Sequence, residues 1–226
     1  MLRGGLEMTM LRAVLFDFSD TLFWRNGGER LAALLRDLDT HVDSAELARV
    51  WDSVKLESVT PAELLKGRDR SSEAHRRCWT ELLRPFNEFH PEAAEIVYRD
   101  QPNPVGWRAF EETAEVLQTL HSRGVPIGIV SDIGWDLRPV FEHHNVARFV
   151  TTWVLSYEHG IEKPDPLLFE IGCKGLGSLP SETLMVGDSV ERDGGAARAG
   201  LTALTLPAHH GPGERGLRRA ISLLNK

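Results

Sequence analysis

Five short apolar runs recur along the chain, at residues 12–16, 125–130, 150–155, 183–186 and 202–206, and this recurrence limits the fold more than any other feature of the sequence. Runs of four to six residues with little polar alternation are what strands buried on both faces look like. Amphipathic stretches at 110–122, 135–143, 166–174 and 191–198 separate the later runs. Strands joined through helices need crossover connections, which are right-handed, and the resulting sheet is parallel and covered on both faces. The expected class is therefore α/β, a doubly wound parallel sheet.

Residues 27–101 break the alternation. They carry helical patterns, "ERLAALLRDL", "SAELARVWDSV", "EAHRRCWTELL" and "EAAEIVYR", with no convincing strand. The expectation is a small all-helical cap inserted at 26–103, a core built from 11–25 and 104–226, and a flexible start at 1–10. Asn26-Gly27-Gly28 and "QPNPVG" (101–106) are the expected hinges, being rich in residues that interrupt regular structure. A chain of 226 residues is long enough for such a core and its insert.

A formal charge of −7 with scattered Lys and Arg argues against a nucleic-acid face. No apolar stretch reaches the roughly 18 residues of a membrane span. Two cysteines, Cys78 and Cys173, give no disulfide framework, and "MLRGGLEMTM" lacks the apolar region of a secretory signal. The expectation is a cytoplasmic monomer or homodimer acting on a small molecule.

Polar residues gather where the predicted strands end. Asp17 and Asp20 follow the first run, Ser131 and Asp132 the second, Lys163 lies in "EKPDP" after the third, and Asp188, Ser189 and Asp193 follow the fourth in "MVGDSVERDGGA". In an open α/β sheet the carboxyl rim is where ligands bind, so these segments are expected to converge on one crevice. Carboxylates drawn together repel unless a cation joins them, and oxygen donors without His or Cys suit Mg²⁺. Mg²⁺ and Lys163 would then hold a phosphoryl group, with the Ser131 hydroxyl and backbone N–H groups near 18–21 and 132 on its other oxygens.

With "DFSDT", "VSD", "EKPDP" and "GDSVERD" in this order, the chain resembles the haloacid dehalogenase-like (HAD) superfamily of hydrolases, whose core is Rossmann-like and whose C1-type members carry a helical cap. The resemblance implies Asp17 as a nucleophile forming an aspartyl-phosphate, and Mg²⁺ held by Asp17, the Ser19 carbonyl, Asp188 and Asp193. It also implies Lys163, Ser131, Thr21 and Asp132 around a small phosphorylated substrate.

The chain departs from the phosphatase pattern at Ser19, where phosphatases of the family carry a second Asp as acid/base. A positioned acid/base contributes about 10² to 10⁴ in rate. The leaving group could need no proton, or Asp20, His159 or a cap residue could substitute. Asp20 reads more readily as a turn residue and His159 as a loop residue. Dehalogenases and phosphonatases also lack the second Asp. The former generally lose the "GD" kept here at Asp188, and the latter use a cap lysine, for which Lys55 and Lys66 are the candidates and exposed surface positions the commoner explanation. A weakened, ligand-binding member is a further alternative. Trp24, Trp51, Trp79, Arg76, Arg77 and Trp135 are candidates for touching substrate, and "GPGERGLRRAISLL" reads as a covering helix.

Overall fold

The computed structural model describes residues 10–25, 27–36, 43–207 and 211–224. Each of the five apolar runs forms a strand: β1 (Ala13–Phe16), β4 (Ile127–Ser131), β5 (Thr152–Leu155), β6 (Thr183–Gly187) and β7 (Thr202–Thr205). They make one parallel sheet in the order β5-β4-β1-β6-β7, with β1 central. Val14 lies opposite Ile127 on one side and Leu184 on the other. A further pair, β2 (Phe23–Arg25) and β3 (Trp107–Ala109), is antiparallel and went unforeseen. Three-residue strands carry too little periodicity to be read from sequence.

Alternation along β1 divides the core in two. Val14 and Phe16 enter a cluster with Val116, Leu117 and Leu120 of α6 (Thr113–Ser122) and Phe141 of α7 (Arg138–His143). Ala13 and Leu15 enter the opposite cluster with Leu168, Phe169, Cys173 and Leu176 of α9 (Pro166–Leu176). Helices cover both faces, as the doubly wound reading requires. The helix expected at 191–198 is instead a 3₁₀ segment, Gly194–Ala199, whose paired glycines disfavour an α-helix. The tail contributes a shorter helix than expected, α10 (Arg218–Leu223), packed on α6.

Helices α1 (Gly27–Arg36), α2 (Ser44–Ser58), α3 (Pro61–Leu64), α4 (Ser72–Leu82) and α5 (Ala93–Arg99) fill the interval between β2 and β3. Four of them surround their own apolar cluster, including Leu31, Leu47, Trp51, Leu82, Phe86 and Val97. Asp43, Thr60 and Ser71 cap α2, α3 and α4 by accepting from backbone N–H groups. The expected entry hinge is not a loop at its glycines. Gly27 and Gly28 open α1, and a Cβ on Gly27 would lie 2.6 Å from Trp51, so the residue serves close packing. Asn26 and residues 1–9 lie outside the described residues. Among the described residues no helix is long and apolar enough to cross a membrane, and Cys78 and Cys173 are free and buried.

Leu15 fills the space left by a glycine of the neighbouring strand: a Cβ on Gly128 would lie 2.6 Å from its Cδ2. Leu15→Ala is expected to cost about 2–5 kcal/mol through the cavity it leaves, and Gly128→Ala about 1–3 kcal/mol through overpacking. Because both changes act on one volume, the double variant should lose less than the sum. Chemical denaturation of the four proteins measures this, and strict additivity would contradict the packing described.

Candidate active site

The chain turns sharply after β1. Asp17 N–H donates to the Val186 carbonyl at 2.9 Å, which continues the β1–β6 ladder and fixes the carboxylate at the strand end. Leu22 and Phe23 then donate back to the Phe18 carbonyl, both at 3.0 Å, and Asp20 adopts a left-handed φ of 56°. Phe18 is fully buried, its ring 4.5 Å from that of Trp107 and 5.2 Å from that of Phe23. With Phe18 anchored below, Asp17, Ser19 and Asp20 all border the crevice. From the far end of the chain, Arg215 Nε donates to the Asp20 carbonyl at 2.6 Å. Arg215 is held in turn by Glu112 Oε2, which accepts its backbone N–H at 2.6 Å and that of Gly216 at 2.7 Å. The sequence offered no signal for this clamp beyond a glycine-flanked Glu-Arg pair.

Lys163 is the centre of the charge. Its ammonium donates to Asp17 Oδ1 at 2.7 Å and to Asp193 Oδ1 at 2.6 Å, and all three side chains are buried. Burial alone would favour the neutral amine, but Asp17, Asp193 and Asp132 more than reverse this and hold Lys163 charged. The carboxyls remain crowded. Burial pushes Asp17 up to about 6, against the pull of Lys163, and burial with the charges of Asp17 and Asp193 pushes Asp188 up to about 7. One oxygen from each of Asp17, Asp188 and Asp193 lies within 4.8 Å of the others. Three carboxylates with no thiolate or imidazole among them form a donor set that fits a hard divalent cation.

A cavity of about 470 Å³ opens above these groups. Its floor is Asp17, Ser19, Ser131, Asp132, Lys163, Asp188 and Asp193, and four of the six tryptophans, Trp51, Trp79, Trp107 and Trp135, line its walls. Asp69, in the turn before α4, pins the helical layer to the core. Its carboxylate meets Arg68 at 3.1 Å and Arg192 at 3.3 Å, its N–H donates to Glu162, and its carbonyl accepts from Ser156. Arg192 continues to Asp132 at 3.2 Å.

A family model for haloacid dehalogenase-like hydrolases matches residues 11–200. The chain belongs to the haloacid dehalogenase-like hydrolases. It is similar to a glyceraldehyde 3-phosphate phosphatase of Methanothermobacter thermautotrophicus, 28% identical over 215 residues that cover 91% of this chain and 90% of that one. It is also similar to a phosphoserine phosphatase of Thermus thermophilus, 30% identical over 129 residues, covering 56% of this chain and 48% of the relative. Among solved structures, a dehalogenase shares the fold with a TM-score of 0.69 at 22% identity, over 96% of this chain and 98% of that one. A HAD hydrolase of Bacillus subtilis bound to magnesium matches with a TM-score of 0.69 at 16% identity, over 96% and 100% of the two chains.

Within this HAD hydrolase the residues expected at the site fall into distinct positions. Asp17, Ser19, Ser131, Asp132, Lys163, Asp188 and Asp193 all line one cavity. The Asp132 carboxyl is turned to the Lys163 N–H at 2.8 Å and to Arg192, and burial pushes it up to about 6. Thr21 does not line the cavity: it is wholly buried behind Asp17, donating to Oδ2 at 3.4 Å, so it orients the carboxylate. Lys55 is not a simple surface lysine. Its ammonium crosses from α2 to Asp20 Oδ2 at 2.7 Å and borders the cavity, whereas Lys66 sits outside it and pairs with Glu63. Trp51, Trp79 and Trp135 line the cavity. Trp24, exposed Arg76 and Arg77, and exposed His159 do not. Sequence reasoning missed Arg25, Asp69, His75, Gln101, Trp107 and Arg192. Arg192 alone carried a signal, its place inside "GDSVERD".

His75 of α4 is buried, with Nδ1 3.2 Å from the Tyr98 hydroxyl. Burial pushes its pKa from 6.5 down to about 4, although Asp69 acts in the opposite direction. Between those values the unfolded chain binds a proton that the folded chain does not. The contribution is therefore complete above pH 6.5 and lost as pH falls toward 4, by about 3 kcal/mol in all. Urea midpoints against pH for wild type and His75→Gln should show a steeper acid decline in the wild type. Parallel curves would exclude this role for His75.

Proposed function

We propose that the chain is a Mg²⁺-dependent phosphatase that hydrolyses a small phosphorylated metabolite through an aspartyl-phosphate on Asp17. One observation carries this reading: a carboxylate at the end of the central strand shares a buried ammonium with a second carboxylate, and a third lies within reach of both. The phosphatase names of the relatives agree with it. Asp17, the Ser19 carbonyl, Asp188 and Asp193 would hold the metal. When bound, Mg²⁺ supplies positive charge between the nucleophile and the phosphoryl oxygens, which otherwise repel.

The protein's own groups divide the work. Asp17, oriented by Thr21, attacks phosphorus in line as the bond to the leaving oxygen breaks, and water later cleaves the aspartyl-phosphate. Lys163, the Ser131 hydroxyl and the backbone N–H groups near 18–21 and 132 bind phosphoryl oxygens. The Asp132 side chain holds Lys163 and Arg192 in place, so its backbone N–H is the group left for the anion. Residues 26–103 act as the cap, its tryptophans excluding water from the cavity. Ser19 gives the leaving oxygen no strong acid, and we assign that hydrogen bond to Lys55, which lines the same cavity and reaches the neighbouring Asp20 at 2.7 Å. The position of Lys55 also favours a second reading, phosphonate cleavage through a Schiff base, which borohydride trapping on Lys55 in the presence of an aldehyde-bearing phosphonate would reveal.

A panel of phosphate monoesters and acyl phosphates should show turnover that requires Mg²⁺, stops with EDTA, and falls at least about 10³-fold in Asp17→Asn. A silent panel, with esters still raising the melting temperature, would replace catalysis by ligand binding. Ser19→Asp should raise monoesterase activity by about tenfold or more, since it restores a positioned acid. Unchanged or lower activity would show that Ser19 is matched to a leaving group that departs without a proton.

A further inference from the structure

Three buried N–H groups border the cavity without a use in the phosphoryl chemistry. Arg25 Nε, Gln101 Nε2 and Trp135 Nε1 have no hydrogen-bond partner among the described residues. Gln101 is 5% exposed, Trp135 9%, and the Arg25 side chain 4%. Buried donors without acceptors are costly and uncommon, so three on one cavity wall call for an explanation.

The fold brings them together around a single ring. Arg25 is paired in register with Trp107 across β2 and β3, and its guanidinium carbon lies 5.7 Å from that ring's centroid. Trp107 Nε1 donates to the Gln101 carbonyl at 2.8 Å, and the Trp107 and Trp135 centroids are 5.9 Å apart. The three donors therefore flank the aromatic wall where the chain leaves the core and returns to it.

Asp100 accepts from Arg25 Nη2 at 2.7 Å and is gripped by Arg30 through both carboxylate oxygens, so one carboxylate serves two guanidiniums. The cavity's other unbonded polar atom, Asp132 Oδ2, lies 3.2 Å from Arg192 and belongs to a different cluster. Three unpartnered donors on residues of one wall, one of them on a guanidinium, match a planar anionic acceptor.

We propose that Arg25, Gln101 and Trp135 form a carboxylate subsite, so that the substrate is a small phosphate ester whose leaving group carries one carboxylate. This rests on the phosphatase reading above and narrows its substrate class. A cavity of about 470 Å³ accommodates a phosphoryl group with a short organic acid.

The test compares phosphoglycolate with ethyl phosphate, which differ by the carboxylate. Calorimetry on the Asp17→Asn protein, with and without Mg²⁺, reads binding without turnover. Phosphoglycolate should bind at least about tenfold more tightly, the size of effect expected for hydrogen bonds to a charged group. Trp135→Phe, which keeps the ring and loses the N–H, and Gln101→Leu should each reduce that ratio about three- to tenfold. Gln101→Glu, placing like charge against the acid, should invert it. Equal binding of the two esters, binding of neither, or a preference that survives all three substitutions would overturn the subsite. Turnover by the wild-type protein is measured in parallel. Absence of hydrolysis with the binding preference intact counts against the phosphatase reading alone, and hydrolysis without preference counts against the subsite alone.

Discussion

The contact between Lys163 and two carboxylates sets the terms for the rest of the molecule. Asp17 and Asp193 reach Lys163 from the ends of neighbouring strands, and all three side chains are out of water. Removing one partner of a buried pair leaves an uncompensated charge, which is far more damaging than the pair is stabilising. The sheet order makes this contact possible, since β1 and β6 are adjacent and bring the two acids to one ammonium. A single ammonium faces three carboxylates there, and burial first, with the repulsion between the acids second, pushes Asp17 and Asp188 up. The three carboxylates at the strand ends form a donor set that fits a hard divalent cation.

Around that centre, residues without chemistry of their own fix the backbone. Glu112 and Arg215 hold the Asp20 carbonyl from a segment at the far end of the chain, and Asp132 holds the amide of Lys163. Asp69 and Arg192 tie the helical layer to the rim of the sheet. These contacts place groups to within hydrogen-bond tolerances, which is what catalysis by orientation demands.

Ser19 and Lys55 belong to one question. The chain carries Ser19 where the family's phosphatase pattern calls for an acid, and an ammonium from α2 reaches the neighbouring Asp20 at 2.7 Å. The cavity wall above is aromatic, built from Trp51, Trp79, Trp107 and Trp135.

The sequence by itself determined the five strands, their parallel arrangement and the set of residues at their ends, because a strand buried on both faces must be continuously apolar and its crossover must be helical. Motif spacing then identified Asp17, Ser131, Lys163, Asp188 and Asp193 before any geometry was known. Only the tertiary structure decided that Lys55 faces Asp20, that Thr21 stands behind the nucleophile, that Gly27 is a packing residue, and that Arg25, Gln101, Trp107 and Trp135 share one wall. Most of those facts depend on contacts between segments far apart in the chain, such as Lys55 with Asp20 and Arg25 with Trp107. A lysine, a glutamine or a tryptophan carries no local mark of what it will face, because its role is set by burial and by partners that folding supplies.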